Sequence, residues 1–175
     1  MRIALGRRGD YSVRAVLDLA RHYGSGRRKT REIASAMDIP ELYLPQLLAS
    51  LVRVGLLRAV AGPDGGYTLS RDPQTITLLE VVESAEGPVR ATQCLLRGGP
   101  CDWDEVCPMH RSWSRAQDAL VGELERTTFG DLAREDEAIE QHRYLGAPPP
   151  VSHRSLRRGT RNRRDDTSGG SDSGR

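Results

Sequence analysis

Residues 38–55 read DIPELYLPQLLASLVRVG, a short turn followed by a regular helical pattern. Leucines recur at i, i+3, i+4 and i+7, which places them on one face of a helix; they are Leu44, Leu47, Leu48 and Leu51. Pro45 is tolerated if the helix starts near Leu42, because the first N–H groups of a helix have no partner within it. Gly55 then ends the helix. The stretch predicts an amphipathic helix with buried leucines and an exposed opposite face.

Two shorter helical segments are predicted before this stretch. Residues 10–23 carry a stripe of apolar side chains at helical spacing, and the following glycines end that helix. Thr30 is the expected N-cap of the second helix, with Ile33 and Met37 facing inward. The turn at 38–40 joins the second helix to the third.

A β-hairpin is predicted directly after the leucine helix. Leu57–Val60 and Tyr67–Ser70 have the composition of short strands, and the Gly/Pro/Asp loop AGPDGG lies between them. Three helices and a hairpin are the outline of a winged helix-turn-helix, whose third helix fits the DNA major groove. The predicted fold class is therefore mainly α with a small β-hairpin wing.

The exposed face of the third helix supplies the candidate DNA-binding residues, which are Tyr43, Gln46, Ser50 and Arg53. A glutamine side chain can pair with adenine through two hydrogen bonds, and tyrosine or serine can reach phosphates or bases. The expected partner is double-stranded DNA with roughly palindromic promoter sites.

The charge distribution agrees with a nucleic-acid partner at the N-terminal end. The formal net charge is +2 overall, but it is +6 in residues 1–62, −8 in residues 63–146 and +4 in residues 147–175. A basic segment before an acidic one is typical of a chain whose first third meets an anion.

Membrane and secretory classes are not expected. No apolar run approaches the roughly 20 residues that span a bilayer. The N-terminus carries Arg2, Arg7 and Arg8 without an apolar block, so it does not resemble a secretory signal. A cytoplasmic protein is the expectation, and the low aromatic content of 5% argues against a large catalytic domain.

The second half of the chain contains one long helical pattern and an acidic one. An apolar stripe from Met109 to Thr127 recurs at spacings of three and four, and it predicts a dimerisation helix. The predicted organisation is a winged helix-turn-helix in residues 1–88, a cysteine-bearing loop in 89–110, the dimerisation helix and a C-terminal helix in 111–146, and a disordered Arg/Ser/Gly-rich tail in 147–175.

The three cysteines, Cys94, Cys101 and Cys107, lie within a short segment, and His110 follows closely. Zinc fingers pair cysteines two to four residues apart, and no such pair is present. Wider spacing on a glycine-bearing loop suits an iron–sulfur cluster, which thiolates hold, sometimes with histidine. Structural zinc, three unliganded thiols, and a Cys107–His110 nucleophilic dyad remain as alternatives.

The chain resembles the Rrf-type winged-helix transcriptional regulators (IscR- and NsrR-like, Fe–S cluster-binding) over about residues 1–140. The matching stretches are DYSVRAVLDLA (10–20), Ile33-Ala34, YLPQLL (43–48), LVRVGLL (51–57), GPDGGY (62–67), and the run Cys94, Cys101, Cys107, His110, Trp113.

This resemblance implies a homodimeric DNA-binding regulator whose cluster controls promoter occupancy. The three cysteines match the family's cluster ligands, and Tyr43 and Gln46 match positions that face DNA. His110 matches the fourth ligand of a [2Fe–2S] cluster, the favoured assignment. Asp10 matches the carboxylate that some members supply, from the partner subunit, to a [4Fe–4S] cluster.

Two departures from the family pattern concern DNA. Ala61 stands where many members have an arginine before the wing, and Pro45 stands where one branch has a glutamate. The operator sequence therefore does not carry over.

The leading hypothesis is a transcriptional regulator, not an enzyme, whose promoter binding is controlled by an Fe–S cluster that senses redox state, nitric oxide or iron–sulfur status. The alternative is a winged-helix regulator with zinc or no metal that responds to another signal. A Cys/His enzyme is a third hypothesis.

Overall fold

The structure is a computed structural model that describes residues 4–89 and 107–141. The predictions for Cys94, Cys101 and the tail at 147–175 lie outside these residues. The described elements, in chain order, are α1 (Arg7–Arg21), α2 (Thr30–Met37), α3 (Leu44–Arg53), β1 (Leu57–Val60), β2 (Gly66–Leu69), a 3-10 helix (Pro73–Thr75), α4 (Leu78–Glu86), α5 (Pro108–Arg126) and α6 (Phe129–Glu140).

Helix α1 is the centre of the fold. It packs against α2, α3, α4, α6 and strand β2. Its buried apolar face, centred on Ala15, Val16 and Leu19, meets the leucine face of α3 and the inward residues of α4 and α6 in one core. The predicted fold class, mainly α with a small β wing, is confirmed.

The leucine helix forms as expected, but α3 begins at Leu44, two residues later than predicted. Residues 41–43 form a turn in which the Pro40 carbonyl accepts the N–H groups of Tyr43 and Leu44 at 3.0 and 3.3 Å. Pro45 therefore stands at the second helical position, where a missing N–H costs nothing. All four leucines of the stripe are buried.

Helix α2 begins one residue earlier than predicted, because Lys29 is its N-cap and Thr30 is already helical. The Glu32 carboxylate accepts the Lys29 N–H at 2.8 Å, which satisfies a donor at the helix start. Asp38 ends α2 in the left-handed region with φ of 51°, a conformation that aspartate tolerates better than most residues. This residue sets the turn between the two helices.

The hairpin is antiparallel, with Leu57 opposite Leu69 and Val60 opposite Gly66. The second strand is shifted one residue towards the N-terminus from its predicted position, because Gly66 joins the ladder. Gly66 has a φ of +150°, and a Cβ added to it would lie only 2.6 Å from the carbonyl oxygen of Arg28. Arg28 and Tyr67 exchange two backbone hydrogen bonds of 3.0 and 2.9 Å. The wing is thus fastened to the segment that precedes α2.

A buried ion pair fixes the same segment to α1. The Asp18 side chain is 1% exposed and accepts two hydrogen bonds of 3.0 Å from the Nε and Nη2 of Arg28. The hydrogen bond to Asp18 is the main cause that raises the pKa of Arg28, against the opposing effect of burial. Arg28 therefore connects α1, the start of α2 and the wing.

The C-terminal helix returns to the N-terminal half. Short backbone contacts, Leu78 N–H to Thr127 at 2.8 Å and Phe129 N–H to Ile76 at 2.9 Å, hold the start of α6 beside the start of α4. The Phe129 ring is fully buried, and α6 then packs along α1. Arg21 on α1 pairs with Asp136 at 3.0 Å.

Helix α5 has a different environment. It packs mainly on α4, and none of its 19 residues is buried. Met109 and Leu120 are exposed. Part of the predicted apolar stripe, including Met109 and Leu120, is therefore left uncovered within residues 4–89 and 107–141.

Candidate nucleic-acid interface and metal centre

The four residues predicted to contact DNA lie together on one surface. Tyr43, Gln46, Ser50 and Arg53 line a shallow hollow of about 200 Å³ along α3, with Leu47 at its floor. Arg8, from the first turn of α1, lines the same hollow. The sequence pattern of α3 does not identify Arg8 as a site residue, because Arg8 lies on a helix that is distant along the chain. We call this surface the recognition hollow.

The side chains of the recognition hollow are held by their neighbours. The Tyr43 ring meets Tyr11 of α1 edge to face, with centroids 5.6 Å apart. The Ser50 hydroxyl donates to the Leu47 carbonyl at 2.7 Å. Both lone pairs of this hydroxyl can still accept, but its proton is already used, so Ser50 is poorly placed to donate to a phosphate.

A second hollow, of about 360 Å³, lies between the start of α2 and the wing. Lys29 and Thr30 line one side, and the wing loop around Pro63 lines the other. Arg27 reaches the Asp64 carbonyl at 3.4 Å and so borders the wing loop. Basic side chains therefore stand beside the wing although Ala61 supplies none.

Two of the four predicted metal ligands lie at the start of α5. Cys107 is the N-cap of this helix, and its side chain makes no capping hydrogen bond. His110 lies within the first turn, where its backbone N–H donates to the Cys107 carbonyl at 3.1 Å. Its Nε2 lies 3.4 Å from the Ser114 hydroxyl. Among the residues that the structure describes, no three His, Cys, Asp or Glu residues form a metal-binding group.

The start of α5 also holds a polar atom without a partner. The Trp113 indole nitrogen is buried and has no hydrogen-bond partner within the described ranges. Trp113 follows His110 by one helical turn. A thiol, an imidazole and an N–H donor thus follow one another at intervals of three residues from the N-terminal end of α5, where the helix dipole favours a negatively charged group.

Asp10, the alternative fourth ligand, is engaged elsewhere. Its carboxylate accepts from Arg14 Nε at 3.0 Å and pairs with Nη2 at 2.9 Å. The same guanidinium donates to the Met37 carbonyl at 3.2 Å. A metal ion at Asp10 would have to compete with this ion pair.

Glu86, the last residue of α4, connects the two regions. Its carboxylate accepts the Gly9 N–H at 2.7 Å and so caps the start of α1, which has no capping side chain of its own. Gly9 leaves room for it, since a Cβ there would come within 2.7 Å of the carboxylate. The helix that carries Arg8 is thus bonded to the residue that precedes the cysteine-bearing segment.

The chain was compared with known protein families and sequences. A family described as "Rrf2: Iron-dependent Transcriptional regulator" matches residues 5–135. The HTH-type transcriptional regulator IscR of Escherichia coli is 35% identical over 133 residues, which cover 76% of this chain and 82% of IscR. These relatives are transcriptional regulators, so the hypothesis of a Cys107–His110 enzyme is rejected.

Solved structures give the same fold. CymR, the global cysteine regulator of B. subtilis, aligns with a TM-score of 0.66 and 30% identity over 76% of this chain and 98% of CymR. T. potens IscR aligns with a TM-score of 0.63 and 24% identity over 84% of this chain and 94% of that protein. No helix within the described residues is long and apolar enough to cross a membrane.

Proposed function

Because the chain belongs to the Rrf2 family of iron-dependent transcriptional regulators, we propose that it binds promoter DNA as a homodimer under the control of an iron–sulfur cluster. The cluster ligands are Cys94, Cys101, Cys107 and His110. One observation carries the cluster assignment: Cys107 and His110 share the first turn of α5, and the Cys107 side chain takes no part in capping that helix. The proposal places the protein in the cytoplasm, with the DNA that it binds.

The residues at the start of α5 fit such a group. Thiolate and imidazole are the ligands that [2Fe–2S] centres accept, and the cluster supplies a redox-sensitive group whose potential depends on its ligands and hydrogen bonds. The unpartnered Trp113 N–H is a donor that can bond a cluster sulfur. Cys107 and His110, together with the thiolates of Cys94 and Cys101, supply the four ligands.

His110 is the better fourth ligand of the two candidates. It lies on the same helical turn as Cys107, whereas Asp10 is held by two nitrogens of the Arg14 guanidinium, Nε and Nη2. A [2Fe–2S] cluster on Cys94, Cys101, Cys107 and His110 is therefore proposed over a [4Fe–4S] cluster with Asp10 of the partner subunit.

DNA binding is assigned to the recognition hollow. Gln46 reads a base, and Tyr43, Ser50, Arg53 and Arg8 contact the duplex beside it. A dimer presents two such surfaces, which explains the expectation of roughly palindromic sites. The exposed apolar residues of α5, Met109 and Leu120, are the proposed dimer contact.

A second candidate function rests on the similarity to the B. subtilis global cysteine regulator, which is 30% identical. In this case the same fold responds to another signal, with zinc or without a metal. The two candidates differ in what the protein carries when it is purified.

Anaerobic purification of the full chain, followed by visible spectroscopy and assays of iron and sulfide, separates them. We expect a coloured protein whose iron and sulfide are lost in Cys94→Ala, Cys101→Ala and Cys107→Ala while helix content is kept. His110→Ala should lose more iron than Asp10→Ala, and His142→Ala is the matched histidine control. A colourless protein containing zinc, or no metal, would support the second candidate.

Control by the cluster is tested by titrating one operator at fixed salt with loaded and cluster-free protein. Coupling between two sites commonly changes affinity about 5–150-fold. We expect clearly different affinities from two dimeric forms. Identical curves would show that the cluster is structural and does not control binding.

A further inference from the structure

The leading edge of α3 is apolar rather than charged. Leu42 is 99% exposed, and Pro45, Gln46 and Ala49 are also exposed. Pro45, Gln46 and Ala49 lie on the face of α3 opposite the buried leucines. Leu42 lies in the turn just before α3 and lines a hollow together with Pro45, so it extends this row beyond the start of the helix. We call these four residues the leading stripe.

The exposure of Leu42 is unusual within the fold. Its neighbours Ile39 and Leu44 are buried. The other exposed aliphatic side chains among the described residues keep about half of their surface covered. A single exposed apolar residue needs no explanation, but an apolar row on the helix that faces DNA does. The row makes an aliphatic surface available to a partner.

Basic side chains stand on both sides of the leading stripe. On one side Leu42 and Pro45 share a hollow of about 540 Å³ with Lys29, Thr30 and Arg31. The Glu41 carboxylate in that hollow accepts from Arg31 Nε at 2.9 Å, so its charge is balanced. On the other side Gln46 shares the recognition hollow with Arg8 and Arg53.

This arrangement matches the cross-section of a DNA major groove. The two phosphate backbones are anionic walls, and the base edges form the floor between them. In an orientation that puts the flanking cations against the walls, the leading stripe faces the floor. The one apolar group on the base edges of that floor is the methyl group of thymine.

We propose that Leu42, with Pro45 and Ala49 beside it, reads thymine methyl groups, next to an adenine read by Gln46. The inference rests on the proposed DNA-binding function and specifies its substrate: half-sites that carry A·T pairs at adjacent positions. Specificity then depends on methyl groups as much as on hydrogen bonds. Leu42 is a specificity-determining residue.

The test begins with selection of binding sites from randomised duplex DNA by the full-length protein. Each thymine of the selected half-site is then replaced by deoxyuridine, which removes only the 5-methyl group. At one or more positions we expect the affinity of the unaltered protein to fall roughly 3–10-fold, the size expected for one buried methyl group. Leu42→Ala should bind thymine and deoxyuridine sites equally at that position.

Ile139→Ala, which alters an exposed aliphatic residue on α6, is the matched control and should keep the full sensitivity to deoxyuridine. Unaltered protein that binds selected sites equally with thymine and deoxyuridine would overturn the inference and leave the DNA-binding function intact. An equal loss from Leu42→Ala on both kinds of site would also overturn it. Failure to enrich any sequence would overturn the proposed function itself.

Discussion

Arg28 shows how much of the fold depends on a single side chain. Its guanidinium neutralises the buried Asp18 carboxylate, and its backbone pairs with Tyr67 of the wing. Asp18 and Tyr67 both lie on other elements, whereas the sequence around Arg28 indicates only a basic residue in a loop. Nothing in the spacing of Asp18 and Arg28 predicts that they meet, because tertiary packing sets their distance.

Replacement of Arg28 by methionine should destabilise the protein by about 3 kcal/mol, the cost of leaving one partner of a buried pair uncompensated. The nearby His22 ring, whose Nδ1 lies 3.7 Å from Oδ1 of the Asp18 carboxylate, keeps the expected loss at the lower end of that range. Urea unfolding monitored by circular dichroism measures it. Arg126→Met, which breaks an exposed pair with Glu123, should cost less than about 1 kcal/mol. Equal losses in the two variants would contradict this assignment.

A second prediction concerns pH at the start of α6. The Thr128 hydroxyl donates to Asp131 at 2.6 Å and accepts the Asp131 N–H at 3.1 Å. The side-chain hydrogen bond from Thr128 is the main cause that lowers the pKa of Asp131 below its ordinary 3.8. A lowered pKa means that the carboxylate stabilises the fold above pH 3.8, and that this contribution is lost as the pH falls through the folded-state value.

Thr128→Ala should therefore cost about 1 kcal/mol near pH 7, as expected for loss of an N-cap, and less at pH 2–3. Thermal unfolding of both proteins across this pH range gives the comparison. Thr127→Ala, at the preceding threonine, is the matched control for pH dependence, because its hydroxyl bonds the Glu123 carbonyl and no carboxylate. A gap between wild type and Thr128→Ala that widens in acid would refute the reading.

At the scale of helices and strands, the sequence predicted best where periodicity is strong. The leucines of α3 identify that helix, and the two short strand-like stretches on either side of AGPDGG identify the wing. The first turns of the helices were predicted less accurately, because side chains from other elements help to determine where a helix begins. Helix α1 is the example: its start at Arg7 lies three residues before the predicted pattern, and the N–H of Gly9 in its first turn is capped by Glu86, 77 positions further along the chain.

Glu86→Ala should destabilise the protein by about 0.5–2 kcal/mol, the range for loss of a helix cap. It should also speed hydrogen exchange at Gly9, whose N–H loses its acceptor. Unfolding curves and amide exchange by NMR measure the two effects. Glu135→Ala on the exposed side of α6 is the control and should change neither. Unchanged exchange at Gly9 would show that another group caps α1.

At the scale of the whole molecule, the stripe on α5 predicts a dimer. Leu120 is exposed on the apolar face of a helix that packs mainly on α4. Leu120→Lys should place a charge in the contact and shift the protein towards monomer, as seen by sedimentation velocity. Glu125→Lys introduces the same side chain at an exposed position on the other side of the helix and should leave the dimer intact. A dimer that survives Leu120→Lys would place the contact elsewhere.

The packing of α6 on α1 also bears on how a ribosome produces this protein. Phe129 enters the core 108 positions after the end of α1 at Arg21, so the nascent chain must expose part of the apolar face of α1 until then. At typical elongation rates this interval lasts roughly 5–20 s. Nascent chains arrested before Phe129 emerges should bind a chaperone that recognises apolar segments, and chains arrested after α6 emerges should release it. Crosslinking of the arrested chains to that chaperone would measure the change.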